Sequence, residues 1–138
     1  AKLASEHVID VVLDIFNDRI KAREQDRSKV SYAKKIEKHD GLIDWNENAE
    51  FIERKVRAYY PWPGAHAELR IFGSDYRFKI VKAKVVPSIA SQPGTFIITK
   101  ESFTIACGKN ALKLLFIHPD GRREMSINDF IHRFHKHL

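Results

Sequence analysis

Hydrophobic residues recur at helical spacing from the start of the chain. Val8, Val12, Ile15, Phe16 and Ile20 step by three and four, which predicts an amphipathic helix over residues 5–20 with Ser5 as its cap. Such a helix needs a surface to pack on, either the following domain or a preceding one. The periodicity is lost over residues 21–35, KAREQDRSKVSYAKK, which read as a linker or extended strap. A second amphipathic helix is predicted at about 47–60, with Asn46 as cap and Ala49, Ile52, Val56 and Tyr59 as its apolar stripe. Glu50 with Arg54, and Glu53 with Arg57, add favourable pairs one turn apart. Pro61 stops this helix, and Pro61-Trp62-Pro63-Gly64 forms a rigid turn.

From Ala65 the period shortens to two. Strands are predicted near 65–72, 76–86, 95–99, 103–107 and 111–117, separated by Gly, Pro, Asn and Asp turn signals. Ser126 followed by Asp129 resembles a capping box for a final helix reaching about residue 136. Five short strands with flanking helices fit a mainly β domain built as a small OB-like barrel. An open antiparallel sheet flanked by helices is the alternative. The longest strand carries a conflict: strict alternation puts Arg77 and Lys79 on one face and Lys82 and Lys84 on the other. A bulge near Ile80-Val81 would bring all four to the outside.

The chain has 138 residues, 43% hydrophobic and 30% charged, which excludes disorder and leaves room for one ordinary core. No apolar run is long enough to cross a membrane and no signal peptide opens the chain. Ala1 leads straight into a helical pattern without an initiator Met, as expected of a piece of a longer protein. A single cysteine, Cys107, fits a reducing compartment. The net charge is +6, but residues 1–20 carry −2, with Lys2 and Arg19 against Glu6, Asp10, Asp14 and Asp18. The remainder therefore carries +8. A basic body behind an acidic lead-in points to an anionic partner.

No assembled active site is legible. Cys107 sits in an apolar strand and reads as a small core residue. His132, His135 and His137 lack a completing carboxylate or thiolate and read as a solvated helix end, so no metal is assigned. Asp44, Glu47, Glu50 and Glu53 read as structural, the last three on a charged helix face. Phosphate-loop and dinucleotide fingerprints are missing. The basic groups carry more information. Lys29, Lys34, Lys35 and Lys38 line the approach to the barrel with Tyr32 and His39 among them. Arg54, Lys55 and Arg57 cluster on one helix, and the long strand adds its own cations. Lysines suit phosphates as point charges, and aromatic rings stack on bases.

Several motifs then fall in one order. Tyr32-Ala33-Lys34-Lys35-Ile36, Leu42-Ile43-Asp44-Trp45, Ile52-Glu53-Arg54-Lys55-Val56-Arg57-Ala58 and Pro61-Trp62-Pro63-Gly64-Ala65 resemble the C-terminal domain of methionyl-tRNA formyltransferases. Lys79-Ile80-Val81-Lys82-Ala83, Pro93-Gly94-Thr95, Ala106-Cys107-Gly108, Ala111-Leu112-Lys113-Leu114-Leu115 and Met125-Ser126-Ile127-Asn128-Asp129-Phe130 continue the likeness, which runs from about residue 28 to 131. Lys34 is a departure, since the family often has Pro or another residue before the lysine.

The resemblance implies an OB-like domain at residues 33–138 that helps hold initiator methionyl-tRNA, a linker at 21–32, and, at 1–20, the terminal helix of an amino-terminal catalytic domain. Catalytic residues and the site for the co-substrate 10-formyltetrahydrofolate would lie in that other domain, leaving no catalytic or cofactor residue here. The tRNA-binding candidates are Lys34, Lys35, Lys38, Arg54, Arg57, Lys79 and Lys82. The implied compartment is the bacterial cytoplasm or the mitochondrial matrix. Nucleotide-sugar formyltransferases carry a similar barrel that need not hold tRNA, and an independent OB module is a third reading. Trp45 and Trp62 read as large apolar anchors with a packing role.

Overall fold

The computed structural model describes residues 2–134. The chain divides into two compact units, 1–34 and 35–138. In the first, helix α1 spans Lys2–Phe16 and none of its residues is buried. It starts earlier than its apolar pattern, because Ser5 is not a cap; its hydroxyl donates to the Lys2 carbonyl at 2.7 Å. It also stops earlier. Asp18 takes a left-handed φ of 54°, and the Arg19 amide closes back on the Asp14 carbonyl at 2.8 Å. The following strap is not wholly irregular. Asp26 accepts from the Ser28 amide and caps a single 3-10 turn, Arg27–Lys29. These bonds from Ser28 hold the Asp26 carboxyl below its ordinary pKa.

In the second unit, a 3-10 turn at Lys38–Gly41 leads to helix α2, Ala49–Tyr59. The cap is Asn48 rather than Asn46: its side chain accepts from the Phe51 amide at 2.7 Å. Asn46 instead donates to Asp44 through both its backbone and its side chain. Ala49, Ile52 and Val56 are buried as the stripe predicts. Of the two expected ion pairs on α2, Arg57 with Glu53 forms at 2.8 Å. Glu50 accepts from Asn110 instead.

The strands are β1 (Ala65–Ile71), β2 (Ser74–Val86), β3 (Phe96–Ile98), β4 (Phe103–Ala106), β5 (Ala111–Pro119) and β6 (Met125–Ser126), followed by α3 (Ile127–Ile131). All ladders are antiparallel, in the order β1-β2-β5-β4-β3, with β6 on β5. No ladder joins β1 to β3 among the described residues, so the mainly β sheet is a half-barrel with flanking helices. Ser126 caps α3 by accepting from the Asp129 amide at 3.2 Å. A 3-10 turn, His132–Phe134, follows. His135 and His137 lie outside the described residues.

The core lies on the concave side. Ile52 and Val56 of α2 meet Phe78, Ile80, Phe103, Leu112, Leu114 and Ile117 of the sheet, and Phe130 and Ile131 of α3. Phe103 is at the centre of an aromatic group, with Phe78, Phe96 and Phe130 at centroid distances of 5.4–6.4 Å. Cys107 is buried with them, and burial pushes its thiol pKa up to about 11. Trp45 packs partly buried against this core. Trp62 corrects its sequence reading. It is 60% exposed, because the Pro-Trp-Pro turn buries Pro63 and Gly64 and turns the indole outward.

The β2–β5 ladder resolves the conflict of alternation. Its register shifts between Ile80 and Lys82, leaving Val81 as an extra residue on β2. It shifts back between Lys82 and Ala83, where Leu115 is the extra residue on β5. Each extra residue is a bulge. Tyr76, Phe78, Ile80, Ala83 and Val85 consequently all face the core, while Arg77, Lys79, Lys82 and Lys84 face outward. The bulge on β2 is the expected one; its counterpart on β5 is not predicted by the sequence.

Candidate nucleic-acid interface

The outer face of the sheet is basic because of that register. Lys79 lies between His66 on β1 and His118 on β5. Lys82 is opposite Phe116, and Lys84 is opposite Lys113. Like charges directly opposed across strands are destabilising. Lys79, Lys82, Lys84 and Lys113 make no ion pair among the described residues. Arg77 differs: its guanidinium is 2.7 Å from the Glu68 carboxylate on β1.

At one end of this face a cavity of about 160 Å³ is lined by Lys38, Pro63, His66, Arg77, Lys79 and Asp120. Lys38 reaches it because the chain after the 3-10 turn runs beside β1. Leu42 bridges His66 in parallel, and the Ile43 amide donates to the His66 carbonyl at 3.0 Å. Gly41 permits this approach. A Cβ there would run into the Gly64 carbonyl oxygen and the His66 ring. Gly64, at φ 82°, leaves room in the same way for the Lys79 stem.

The sequence-predicted residues thus separate into groups. Lys38 and Lys79 meet in this cavity. Lys82 shares their face further along β2 and lines a different cavity of about 420 Å³. Arg54 lines a third, of about 350 Å³, with Glu47, Phe51 and Lys55. Arg57 is held by Glu53, whose hydrogen bond and charge raise the arginine's pKa. Both arginines belong to α2, on the core side of the sheet. Lys55 is used structurally, donating to the Leu42 carbonyl at 2.7 Å. Lys35 is exposed in the second unit and Lys34 ends the first. Sequence reasoning missed Lys113, Phe116, His66 and His118. The polarity of Lys113 and His118 on an otherwise apolar strand was the available signal.

Glu50 and Glu53 are taken up by Asn110 and Arg57, whereas Glu47 lies before α2 rather than on its charged face. Asp44 fixes Asn46, whose hydrogen bonds lower its pKa. Among the described residues, no group of three or more histidine, cysteine or carboxylate side chains is placed to hold a metal ion. No helix of the described residues is long and apolar enough to cross a membrane.

Residues 35–135 match the family of formyl transferase C-terminal domains, and the chain belongs to that family. Methionyl-tRNA formyltransferase of Methylococcus capsulatus is 38% identical over 132 residues, covering 95% of this chain and 42% of that protein. Methionyl-tRNA formyltransferase of Herpetosiphon aurantiacus is 44% identical over 114 residues, covering 81% of this chain and 36% of that protein. The chain therefore spans about two fifths of the length of the curated relatives it matches. HypX from Aquifex aeolicus, solved in complex with tetrahydrofolic acid, superposes with a TM-score of 0.65. It is 18% identical, over 96% of this chain and 23% of HypX, a likeness of fold.

Proposed function

We propose that this chain is the tRNA-binding part of a methionyl-tRNA formyltransferase. It helps present the acceptor arm of initiator methionyl-tRNA to a catalytic domain in the same protein. In that reading 10-formyltetrahydrofolate is the co-substrate of the whole protein and is held outside this chain. The working compartment is the cytoplasm of a bacterium. The names of the sequence relatives support the choice of substrate.

One observation carries the reading: a row of lysines on one outer face, without carboxylate partners among the described residues and with Lys84 opposite Lys113. A sheet face that tolerates this repulsion gains from a polyanion that neutralises it. Lysine ammonium groups bind backbone phosphates as point charges, which fixes register and orientation while carrying no base information.

The test is binding of the purified chain to methionyl-tRNA across a range of salt. Affinity should be modest, tolerant of tRNA sequence, and steeply salt-dependent because bound phosphates release counterions. No tRNA binding at low salt, or binding indifferent to salt, would overturn the proposal. The same chain should transfer no formyl group when given 10-formyltetrahydrofolate and methionyl-tRNA. Turnover would overturn the assignment of the chemistry to the rest of the protein.

A further inference from the structure

The cavity of about 420 Å³ along the sheet differs from the one at the end of the face, because an aromatic ring lies in it. Phe116 lines it and is 40% exposed, on a strand whose inward residues are fully buried. The pairing places Lys82 opposite Phe116 on one side and Ser126 opposite it on the other. Lys113, Asn128 and Glu101 complete the polar lining. The bulge at Leu115 puts the ring here. Phe116 follows that extra residue, so it joins Lys113 and His118 on the outer face.

We propose that this cavity is a nucleotide subsite, where one unpaired base of an RNA stacks on Phe116 while Lys82 and Lys113 hold its flanking phosphates. The inference rests on the RNA-binding reading above and extends it from phosphate contact to base contact. Three features converge on this ligand. A ring with one cation beside it on the neighbouring strand and a second three residues back along its own strand suits a single strand, in which bases alternate with phosphates. The volume falls within the roughly 300–1,000 Å³ range of small-ligand clefts. Asn128 is exposed at the rim, where its amide offers both a donor and an acceptor to a base edge. The carboxylate of Glu101 is the one acidic group on the lining and disfavours a phosphate on its own side. The two lysines outnumber it. A duplex keeps its bases stacked inside, so the ligand is single-stranded RNA or an unpaired end.

The experiment compares the 138-residue chain with Phe116→Ala, Phe116→Tyr and Lys82→Ala/Lys113→Ala variants. The probes are a short single-stranded RNA, the same strand with abasic residues, and a blunt RNA duplex, each followed by fluorescence anisotropy over salt. Phe116→Ala should weaken single-strand binding by roughly 5- to 150-fold without changing the salt slope. Phe116→Tyr should restore it, and duplex binding should not change. The lysine pair variant should weaken both ligands and flatten the slope. Since Phe116 is 40% exposed, the alanine variant should melt somewhat below the parent and remain folded at the assay temperature. Equal binding of the parent to the abasic and intact strands, or full affinity in Phe116→Ala, overturns the subsite while leaving phosphate binding standing. No binding of the parent to any of the RNAs overturns both. Loss of a protein contact in Phe116→Ala, with RNA binding intact, likewise overturns the subsite and assigns the ring to a protein partner.

Discussion

The Asn110 side-chain amide donates to Glu50 at 2.6 Å, joining the start of α2 to the turn between β4 and β5. Around this bond the Ala49 amide donates to the Lys109 carbonyl at 3.0 Å, and Gly108 donates to both Trp45 and Glu47 at 2.9 Å. The helix is therefore docked on the sheet by polar contacts at its first turn and by Ile52 and Val56 further along.

Glu50 gives this docking a dependence on pH. A hydrogen bond from its own backbone amide, and then that of Asn110, lower its pKa below the ordinary 4.5. A carboxylate whose folded pKa is depressed stabilises the fold above its unfolded pKa. That contribution is fully present above about pH 4.5 and is lost as pH falls through the lowered folded value. Glu50→Gln should flatten the acid limb of stability measured by urea unfolding. Asn110 has a left-handed φ of 62°, so Asn110→Ala loses both the bond and a tolerated conformation. Asn110→Gly should be the milder change. Equal acid limbs in the parent and Glu50→Gln would remove this role.

Gly108 is fixed by space. A Cβ on it would fall on the Asn46 carbonyl oxygen, which is backbone and has no side-chain freedom to yield. Gly108→Ala should cost about 2–3 kcal/mol in chemical denaturation, near the upper end for overpacking. A variant as stable as the parent would mean that the Asn46–Glu47 segment moves freely.

Trp62→Ala should cost under about 1.5 kcal/mol, because much of the indole stays in water. Phe103→Ala, at the centre of the aromatic group, should cost about 3–5 kcal/mol. Thermal melts of the two variants side by side test the contrast. A large loss at Trp62 would restore its reading as an anchor.

Replacing Lys34, Lys35 and Lys38 together by Ala should weaken tRNA binding and flatten the log–log salt slope by roughly two units. The single Lys38→Ala variant, whose side chain shares a cavity with Lys79, should account for roughly 0.7–0.9 units of that change. Unchanged affinity and slope in a normally folded triple variant would leave these lysines as solvated charges.

Much of this architecture is legible in the residues, and the failures have physical causes. The bulge at Val81 can be inferred because strict alternation would bury Lys82 and Lys84, a cost no fold accepts without partners. Its counterpart at Leu115 leaves no such trace. Leu115 and Phe116 are both apolar, so no charge protests in either register. Asn46 and Asn48 are equally good caps by type, and only the local bonds of Asn46 to Asp44, two residues back, separate them. Trp62 misleads because ring size says core while the turn geometry says surface. The meeting of Lys38 with Lys79 depends on the Leu42–His66 bridge, a contact between segments that no local pattern announces.

The two extra residues of the β2–β5 ladder also behave as a pair of cancelling frameshifts. Removing Val81 alone would straighten β2 and offset every rung on one side of it by one place, pulling the lysines away from Phe116 and Lys113. Removing Leu115 alone would make the opposite offset. Removing both would return the ladder to frame with the same residues facing out, on a sheet that coils less. The length of one strand is thereby answerable to the length of the other. An insertion tolerated in either is one that its neighbour has matched.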